Sequence, residues 1–361
     1  MFKPVDYVMM SQALRLAEKG LYTTSPNPRV GCVITQNDRI VGSGWHEKAG
    51  QAHAEINALS MAGDQARGAT AYVTLEPCSH HGRTPPCVDA LIKAGISRVV
   101  IAMEDPNPLV LGNGIEALRQ AGIDVQTGLL HEQAQALNIG FKTRMQHGRP
   151  WVRLKIAASL DGKTALNNGR SQWITDEAAR RDGHRWRARS CAMMTGVNTI
   201  LTDNARLTVR HIPTTRQPKK IIIDNRLQIS LDASVLQGEE TFIFTAACEN
   251  TEKIGVLEKM GVQVMISGKA DKVDLTVMMA TLAELEFNEI LVEAGSGLNG
   301  ALLQAGLVDE LIIYLAPSLL GNNAKAMLQL PELVNLDQKV ALKIEDTRMV
   351  GQDIRIIVRP A

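Results

Sequence analysis

The feature that most constrains the fold of this chain is an alternation of short β-branched runs with helical patterns. In the first part, residues 30–35 and 98–103 are typical of buried strands, and residues 5–19 and 53–62 have helical spacing. Strands that alternate with helices favour a largely parallel sheet with helices on its faces. We therefore expect an α/β protein. The other elements predicted in this part are strands over 40–45 and 69–75 and helices over 86–94, 114–121 and 132–145.

A helix stop divides this pattern into two halves. The predicted helix over 132–145 is followed by Gly148 and Pro150, which are typical of a helix end. The chain has 361 residues, more than one hydrophobic core usually organises. We predict a first domain over 1–147 and a second over 148–361. In the second, the pattern predicts strands over 152–158, 192–195, 220–224, 241–244, 262–266, 289–293 and 310–315, a helix over 176–189, and two strands around Gly351.

The composition argues against several classes of partner. Lys plus Arg (39) nearly balance Asp plus Glu (38), which leaves no electrostatic footprint for nucleic acid or an anionic membrane surface. No apolar run approaches the roughly 18 residues of a membrane span, and the first residues lack the pattern of a signal peptide. The five cysteines are scattered and odd in number, which argues against a disulfide framework. We expect a cytoplasmic protein without nucleic-acid or membrane partners.

One histidine and two cysteines of the first domain form a candidate zinc site. His53 opens a predicted helix, while Cys78 follows a predicted strand and Cys87 lies in the next predicted helix. One imidazole and two thiolates leave the fourth tetrahedral position for a water, which is the arrangement of a catalytic zinc. Zinc would lower the pKa of this water to near neutrality, and Glu55 is placed to move its proton. This H-x-E and P-C pattern is the signature of zinc deaminases.

Alternatives to this catalytic zinc site stay open at the level of sequence. A structural zinc would need a fourth protein ligand, which His80 or His81 could supply, but it leaves Glu55 without a purpose. Ligand softness alone also admits iron or cobalt. Eight residues separate the two cysteines, whereas deaminases that edit nucleobases have two, so the site departs from the editing pattern.

A glycine-rich loop follows the predicted strand over 289–293. Gly295, Gly297 and Gly300 precede an apolar helical stretch, and glycines at such a turn let the backbone approach a pyrophosphate. Few strands remain after this loop, so we reject the standard dinucleotide-binding domain, in which the loop follows the first strand. An ordinary tight turn from strand to helix is the alternative.

Several motifs together resemble one known enzyme family, the bifunctional riboflavin-biosynthesis deaminase–reductases of bacteria. The long loop between the two cysteines is that family's own form. The resemblance covers both predicted domains. It rests on segments 25–31, 53–55, 74–80, 82–87 and 104–108 in the first domain and on segments 155–163, 171–175, 196–204 and 207–210 in the second.

In the first domain the resemblance implies a cytidine-deaminase-like, three-layer α/β/α fold. It implies that Asn27, His80 and Arg83 hold the pyrimidine substrate and its phosphate. Asp105 and Asn107 are weaker candidates, because the Asp-Pro-Asn-Pro sequence is equally typical of a plain turn.

In the second domain the resemblance implies a dihydrofolate-reductase-like α/β fold that binds NADPH across its strand ends. Guanidinium groups suit a phosphate dianion, so Arg187 and Arg210 are expected to bind the substrate phosphate. The other arginines around Arg187, at 180, 181, 185 and 189, are expected to form a solvated face or ion pairs. The implied substrate residues are Lys155, Ser171, Arg187, Leu207, Arg210 and Glu293. The implied NADPH residues are Ala157, Trp173, Thr199, Asp203, Asn225, Gly295, Ser296, Gly297, Leu298, Asn299 and Gly300.

The resemblance therefore implies a two-step function with zinc and NADPH as cofactors. The first domain would use a zinc hydroxide to deaminate 2,5-diamino-6-(5-phosphoribosylamino)pyrimidin-4-one. The second would reduce the ribosyl chain to give 5-amino-6-(5-phosphoribitylamino)uracil. Many Met and Leu positions late in the chain favour a homodimer or a higher homo-oligomer. Two rival functions are a nucleic-acid-editing deaminase, which the near-zero net charge opposes, and a non-enzymatic regulator that senses NADPH, for which Glu55 would be dispensable.

Overall fold

A computed structural model describes residues 1–79, 85–108, 110–246, 249–269 and 271–361. The chain divides into two units, Met1–Gly148 and Arg149–Ala361. In the described ranges, no helix has the length and apolar character that a membrane crossing requires.

The first unit consists of one sheet and the helices that cover it. Its strands are β1 (Gly31–Gln36), β2 (Arg39–Trp45), β3 (Thr70–Val73), β4 (Arg98–Ile101) and β5 (Asp124–Thr127). Its helices are α1 (Pro4–Glu18), α2 (Ala54–Ala62), α3 (Cys87–Ala94), α4 (Asn113–Gln120), α5 (His131–Leu137) and α6 (Ile139–His147). The first four strands and the first four helices lie within two residues of their predicted bounds, whereas β5 was not predicted.

Both faces of this sheet are buried under helices. Along β1, Cys32 and Ile34 pack with α2, α3 and α4, while Val33 between them packs with α1 on the other face. Successive side chains of a strand point to opposite faces, so a strand with an unbroken apolar run must be covered on both sides. The unit is therefore a three-layer α/β/α structure, as predicted.

The expectation of a largely parallel sheet is wrong for half of the pairings in this unit. The strand order is β2-β1-β3-β4-β5, in which β1 runs antiparallel to both β2 and β3. The remaining pairs are parallel. Asn37 and Asp38 join β1 to β2 with φ values of 52° and 61°. Two successive residues with positive φ form the tight turn of a hairpin, and Asn and Asp tolerate that conformation, so the sequence did carry a signal for it.

The single helix predicted over 132–145 is in fact two helices, α5 and α6. They are separated by Asn138, which has non-helical φ and ψ values of −108° and 22°. The side chain of Asn138 accepts a hydrogen bond from the backbone N–H of Arg29 at 2.7 Å and donates one to the backbone C=O of Arg29 at 2.9 Å. This partner is remote in sequence, so the helical pattern alone could not reveal the break.

The second unit is built on a nine-stranded sheet and also contains two two-stranded sheets. Its strands are β6 (Trp151–Ser159), β7 (Lys163–Ala165), β8 (Ala192–Gly196), β9 (Lys219–Ile223), β10 (Thr241–Thr245), β11 (Val262–Ile266), β12 (Gly268–Lys269), β13 (Lys272–Val273), β14 (Glu289–Val292), β15 (Glu310–Ala316), β16 (Lys325–Ala326), β17 (Leu342–Val350) and β18 (Asp353–Pro360). Its helices are α7 (Glu177–Arg189), α8 (Val197–Asp203), α9 (Thr251–Lys259), α10 (Leu275–Glu284) and α11 (Ser296–Gln304). The two-stranded sheets pair β12 with β13 and β7 with β16.

The main sheet of the second unit has the strand order β11-β10-β9-β8-β14-β6-β15-β18-β17. The first seven strands in this order are parallel, and the β17–β18 hairpin adds two antiparallel strands at one edge. One face packs on α10 and α11 and the other on α7, α8 and α9. The carboxyl ends of parallel strands share one edge of a sheet, so the loops that follow β8, β9 and β14 come together there.

Helices α8, α9 and α10 and the short strands β7, β12, β13 and β16 were not predicted. The last two helices carry recognisable start signals. The side chain of Asn250 accepts the backbone N–H of Lys253, and that of Asp274 accepts those of Thr276 and Val277. The short strands have no such signal, because two or three residues become a strand only when a partner segment lies beside them.

Candidate functional site

The predicted metal ligands His53, Cys78 and Cys87 meet in the first unit. Their ligand atoms all lie within 4.8 Å of one another. His53 Nδ1 is 3.2 Å from Cys87 Sγ and 3.6 Å from Cys78 Sγ. Two ligands on a tetrahedral zinc, at about 2.1 Å for nitrogen and about 2.3 Å for sulfur, stand about 3.6 Å apart. The cluster therefore fits a zinc ion held by three protein ligands.

Local structure explains why these three side chains converge. His53 is the N-cap of α2 and Cys87 is the first residue of α3, so both lie at helix N-termini, whose partial positive charge favours a thiolate. Cys78 lies in the loop after β3. The backbone N–H of Cys87 donates to Cys78 Sγ at 3.3 Å, and the N–H of Val88 donates to the Cys78 carbonyl.

The cluster favours the thiolate form at one of its two cysteines. Hydrogen bonds with Cys87 and His53 outweigh burial and lower the pKa of the Cys78 thiol to about 4, while the hydrogen bond with Cys78 and burial raise the pKa of the Cys87 thiol. A hydrogen bond with Cys78 raises the pKa of His53. A thiolate is the form of cysteine that binds metals, so Cys78 is ready as a ligand at neutral pH.

Glu55 lies in the first turn of α2, two residues after His53. Its side chain is buried, with 3% of the residue exposed. Burial raises the pKa of Glu55 from 4.5 to about 7. A carboxyl group whose pKa lies near the working pH can both take up and release a proton, which is what a general acid–base group must do.

Asn27 reaches this cluster through a histidine that the sequence analysis missed. The Asn27 amide nitrogen lies 3.1 Å from His46 Nε2, and His46 Nδ1 lies 3.1 Å from the carbonyl of Ala52. That carbonyl can only accept, so Nδ1 carries the proton and Nε2 accepts from Asn27. The His46 ring packs edge-on against His53 with the ring centroids 5.3 Å apart. His80 and Arg83 lie outside the described residues, while Asp105 accepts the N–H of Asn107 in a local turn.

The second unit contains a cavity of about 550 Å³ at the carboxyl ends of its parallel strands. The N-terminus of α11 opens onto it through Gly295 and Gly297, and α8 contributes Thr199. The cavity has a size typical of a ligand site. Of the predicted NADPH residues, those that line it are Thr199, Asn225, Gly295, Gly297 and Leu298.

The rest of the glycine-rich loop has packing partners. Gly300 lies so close to Gln329 that a Cβ atom would stand 2.0 Å from the Gln329 carbonyl oxygen. Asn299 is buried and donates to the Met327 carbonyl at 3.2 Å, and Gln329 donates to the carbonyl of Ser296. Gly300 is therefore required for the contact between α11 and the segment around Gln329, independently of any ligand.

Three further predicted NADPH residues do not line the described cavity. Ala157 lies on β6, two residues from Lys155 and on the same face of the strand. Trp173 is 69% exposed, and the guanidinium of Arg180 stacks on its ring at 4.7 Å. Asp203 is the exposed last residue of α8.

The predicted substrate residues Arg187 and Glu293 form a bidentate ion pair. Arg187 Nε and Nη2 donate to the two carboxylate oxygens at 2.8 and 2.7 Å. Burial alone would raise the pKa of Glu293, but the charges of Arg187 and Lys155 outweigh it and lower this pKa to about 2. Burial lowers the pKa of Lys155. The pairing directs the guanidinium fork of Arg187 at Glu293, which leaves Arg210 as the better phosphate ligand of the two.

Arg210 lies among positive charges. Burial and then the charges of Arg187 and Arg206 lower its pKa, so the three guanidinium groups are close enough to repel one another. Arg210 is exposed, and within the described part of the chain no carboxylate forms a salt bridge with it. Arg206 was not predicted. Leu207 has a buried side chain, and Ser171 is half-buried.

The other arginines of α7 behave as expected for a solvated or ion-paired face. Arg180 donates to the carbonyl of Thr175. The salt bridges are Arg181 with Glu177, Arg185 with Asp182, and Arg189 with Glu289.

Comparisons with known proteins match this geometry to one family. The zinc-binding region of cytidine and deoxycytidylate deaminases matches residues 4–103, and the RibD C-terminal domain matches residues 150–356. The riboflavin biosynthesis protein RibD of Escherichia coli (strain K12) is 48% identical over 97% of this chain and 98% of that protein. The chain belongs to the RibD family.

Solved structures of RibD proteins agree with this assignment. The RibD of Acinetobacter baumannii has 44% identity and a TM-score of 0.92 over 99% of both chains. A Thermotoga maritima structure, described as a diaminohydroxyphosphoribosylaminopyrimidine deaminase/5-amino-6-(5-phosphoribosylamino)uracil reductase, has 33% identity and a TM-score of 0.88 over 99% of both chains.

Membership of the RibD family confirms the predicted fold classes and the two activities. The chain is a bifunctional deaminase and reductase of riboflavin biosynthesis, with a cytidine-deaminase-like first part and a dihydrofolate-reductase-like second part. The deaminase part contains the zinc-binding region with its His/Cys/Cys cluster. The two rival functions, nucleic-acid editing and non-enzymatic regulation, are set aside.

Proposed function

We propose that the chain performs two consecutive reactions on a phosphoribosylaminopyrimidine. The first unit deaminates 2,5-diamino-6-(5-phosphoribosylamino)pyrimidin-4-one, and the second reduces the product with NADPH to 5-amino-6-(5-phosphoribitylamino)uracil. The observation that carries the proposal is the buried Glu55 beside a cluster of three metal ligands, in a chain whose second unit has a separate ligand-sized cavity.

In the deaminase step, Glu55 moves the protons. His53, Cys78 and Cys87 would hold a zinc ion, which when bound would lower the pKa of a water to near neutrality. The Glu55 carboxylate takes a proton from the attacking water and returns it to the amino group, which leaves as ammonia. Because the amide nitrogen of Asn27 donates to His46, its amide oxygen is the atom that would accept from the amino group of the pyrimidine.

In the reductase step, the chain binds and orients both reactants. NADPH supplies the hydride that opens the ribosyl ring. Lys155, Arg187 and Glu293 present two positive charges and one negative charge beside β6 and β14, which suits the hydroxyl groups of a ribosyl chain. Arg210, with Arg206 beside it, provides the positive charge for the substrate phosphate.

Two basic residues of the cavity support NADPH rather than NADH as the reductant. Arg226 and Lys272 line the cavity, together with one acidic residue, Asp271. The side chain of Asn225 accepts the backbone N–H of Val273 at 3.0 Å and so holds the segment that carries Lys272. Only NADPH has a 2′-phosphate that would attract these two cations.

Replacing both cations should therefore weaken NADPH selectively. We expect the Arg226→Gln/Lys272→Gln variant to raise the KM for NADPH by about tenfold or more, since a hydrogen bond to a charged group contributes about 1.5–3 kcal/mol. The KM for NADH should stay within about twofold, because NADH lacks the phosphate. Steady-state oxidation of the two cofactors measures this, with Lys259→Gln, an exposed lysine outside the cavity, as the control. An equal rise in both KM values would contradict the assignment.

The two-step function is tested by following both products on the purified chain. With the diaminopyrimidine substrate and NADPH, we expect both ammonia release and NADPH oxidation. A chelator should stop the release of ammonia, while deaminated intermediate supplied to the chelated enzyme should still oxidise NADPH, because the ligand cluster found among the described residues lies in the first unit. Ammonia release without NADPH oxidation would show that the second unit has been assigned wrongly.

We propose that the second unit also forms a homodimer through its edge strand, β17. Leu342, Ile344 and Met349 are exposed on this nine-residue strand, between charges of both signs. An edge strand with exposed apolar side chains is a template for pairing with another chain. The bulge at Glu345 places Ile344 and Met349 on the same face of the strand, and Glu345 and Arg348 give this edge charges of both signs, which suits antiparallel pairing with a second copy.

This pairing predicts that charges on the edge will separate the subunits. We expect the chain to sediment with the mass of two copies. The Ile344→Lys/Met349→Lys variant should sediment with the mass of one, because the introduced lysines of the two copies would repel each other along the paired edges. Ile40→Lys, at an exposed position on the edge strand of the first unit, is the matched control and should leave the mass unchanged. A monomeric unmodified chain would refute the proposal.

A further inference from the structure

The segment that carries Arg210 is held in place by side chains. Residues 207–210, called here the Arg210 segment, lie between α8 and β9 and belong to no helix or strand. Leu207 and Val209 anchor it with buried side chains, 3% and 5% exposed. Backbone N–H and C=O groups removed from water need hydrogen-bond partners. Three side chains from outside the Arg210 segment provide such partners to it.

The contacts to the Arg210 segment come from two places in the unit. On α7, His184 Nδ1 accepts the backbone N–H of Arg210 at 3.1 Å. One turn later, Arg187 donates to the carbonyl of Thr208 at 2.9 Å. The amide of Gln217 makes two bonds, accepting the N–H of Val209 at 2.7 Å and donating to the Val209 carbonyl at 3.0 Å.

His184 has the chemical form that this contact requires. It accepts at Nδ1, so the neutral ring carries its proton on Nε2. Burial and the charges of Arg187 and His211 lower the pKa of His184 to about 3, which keeps the ring neutral. The ring also packs edge-on against His211, with centroids 4.5 Å apart, which limits its rotation.

We propose that His184 and Gln217 are positioning residues that fix the backbone of Val209 and Arg210, so that the Arg210 side chain is preorganised for the substrate phosphate. This inference rests on the proposed role of Arg210 in phosphate binding. Neither residue needs to touch the substrate. Holding the backbone reduces the freedom that Arg210 loses when the phosphate binds, and the benefit of such preorganisation appears in affinity.

The test compares two substitutions of His184 that differ in one acceptor. His184→Leu removes the acceptor, whereas His184→Asn places an amide oxygen close to the position of Nδ1. Gln217→Leu removes the second anchor, and Arg210→Gln removes the phosphate ligand itself. For each full-length variant, the measured quantities are the KM and kcat for the phosphoribosyl substrate, the inhibition constant of inorganic phosphate and the dissociation constant of NADPH. The dissociation constant of NADPH reports on the folding of the second unit, and deaminase turnover reports on that of the first.

We expect His184→Leu to raise the KM and the phosphate inhibition constant by about tenfold, the effect of leaving one partly buried backbone group without a partner, and Gln217→Leu, which leaves two such groups, to raise them by at least as much. The value of kcat, NADPH binding and deaminase turnover should stay within about twofold, and His184→Asn should restore most of the affinity. In the double variant His184→Leu/Arg210→Gln, the KM should equal that of Arg210→Gln alone, because both changes act through one side chain.

Three results would overturn the inference. If Arg210→Gln raises the KM but His184→Leu and Gln217→Leu do not, the phosphate role of Arg210 stands and the positioning role is wrong. If the effects of His184→Leu and Arg210→Gln multiply, His184 acts on something other than Arg210. If Arg210→Gln itself leaves the KM and the phosphate inhibition constant unchanged, the proposed phosphate site fails and the positioning role with it.

Discussion

Glu55→Gln is expected to lower the rate of ammonia release by about 10³-fold, since positioned acid–base groups contribute 10²–10⁴-fold. The glutamine amide keeps the size of the side chain but cannot take a proton from water. The side chain is buried, so no solvent-borne base can reach its position easily. Because the change leaves His53, Cys78 and Cys87 in place, bound zinc should be retained.

The measurement separates this role from loss of structure. Zinc content by atomic absorption and NADPH oxidation with the deaminated intermediate should both match those of the unmodified chain. Glu116→Gln, at an exposed position on α4, is the matched control and should leave all three quantities unchanged. Retention of a tenth or more of the ammonia release by Glu55→Gln would rule out Glu55 as the proton carrier.

Glu293→Gln is expected to lower the free energy of unfolding of the second unit by about 3–5 kcal/mol, the effect of removing one partner of a buried ion pair. The side chain of Glu293 is 17% exposed and that of Arg187 15%. Without the carboxylate, Arg187 and Lys155 would face each other as unpaired charges. Reductase activity should fall with stability, because these three residues line the proposed ribosyl site.

The dependence of the unfolding free energy on pH should also reveal the contribution of the Arg187–Glu293 ion pair. The pKa of Glu293 is lowered from 4.5 to about 2, so the folded state favours the charged form by about 3 kcal/mol. This contribution is complete above pH 4.5 and is lost as the pH falls from about 4.5 towards 2. Urea unfolding followed by circular dichroism across this range should show a smaller pH effect in Glu293→Gln.

The control for this prediction is an exposed ion pair on α7, the helix that carries Arg187. Glu177 and Arg181 are 71% and 57% exposed. Such pairs contribute little, so Glu177→Gln should leave the unfolding midpoint unchanged. If Glu177→Gln and Glu293→Gln have the same effect, the burial of the Arg187–Glu293 pair is not what stabilises the unit.

The sequence predicted the deaminase centre more completely than the reductase site. The metal ligands and Glu55 lie in two short motifs, each at the start of a helix, where spacing and local structure largely fix their placement. In the second unit, Arg187 and Arg210 both matched a phosphate ligand by chemistry alone. Only the structure distinguishes them, because the partner of Arg187 is Glu293, which is 106 residues away in the chain.

Residues that act through other residues could not be read from the sequence. His46, His184 and Gln217 belong to no motif that indicates a ligand or a catalyst. The roles proposed for them rest on hydrogen bonds to residues that lie 8 to 26 positions away in the chain, the longest of these separations being that of His184 from Arg210. For the same reason, the break at Asn138 depends on Arg29 and was invisible in a helical pattern.

By itself, the sequence determined the α/β character of both halves, the His/Cys/Cys cluster with Glu55 beside it, and the family. These properties depend on side-chain periodicity and on short motifs, which are local. The tertiary structure decided the antiparallel pairing of β1 with β3, the pairing of Arg187 with Glu293, and the contact of His184 with the Arg210 segment. Each of these is a contact between distant parts of the chain, and burial of both partners, rather than the preference of either segment, determines which contact forms.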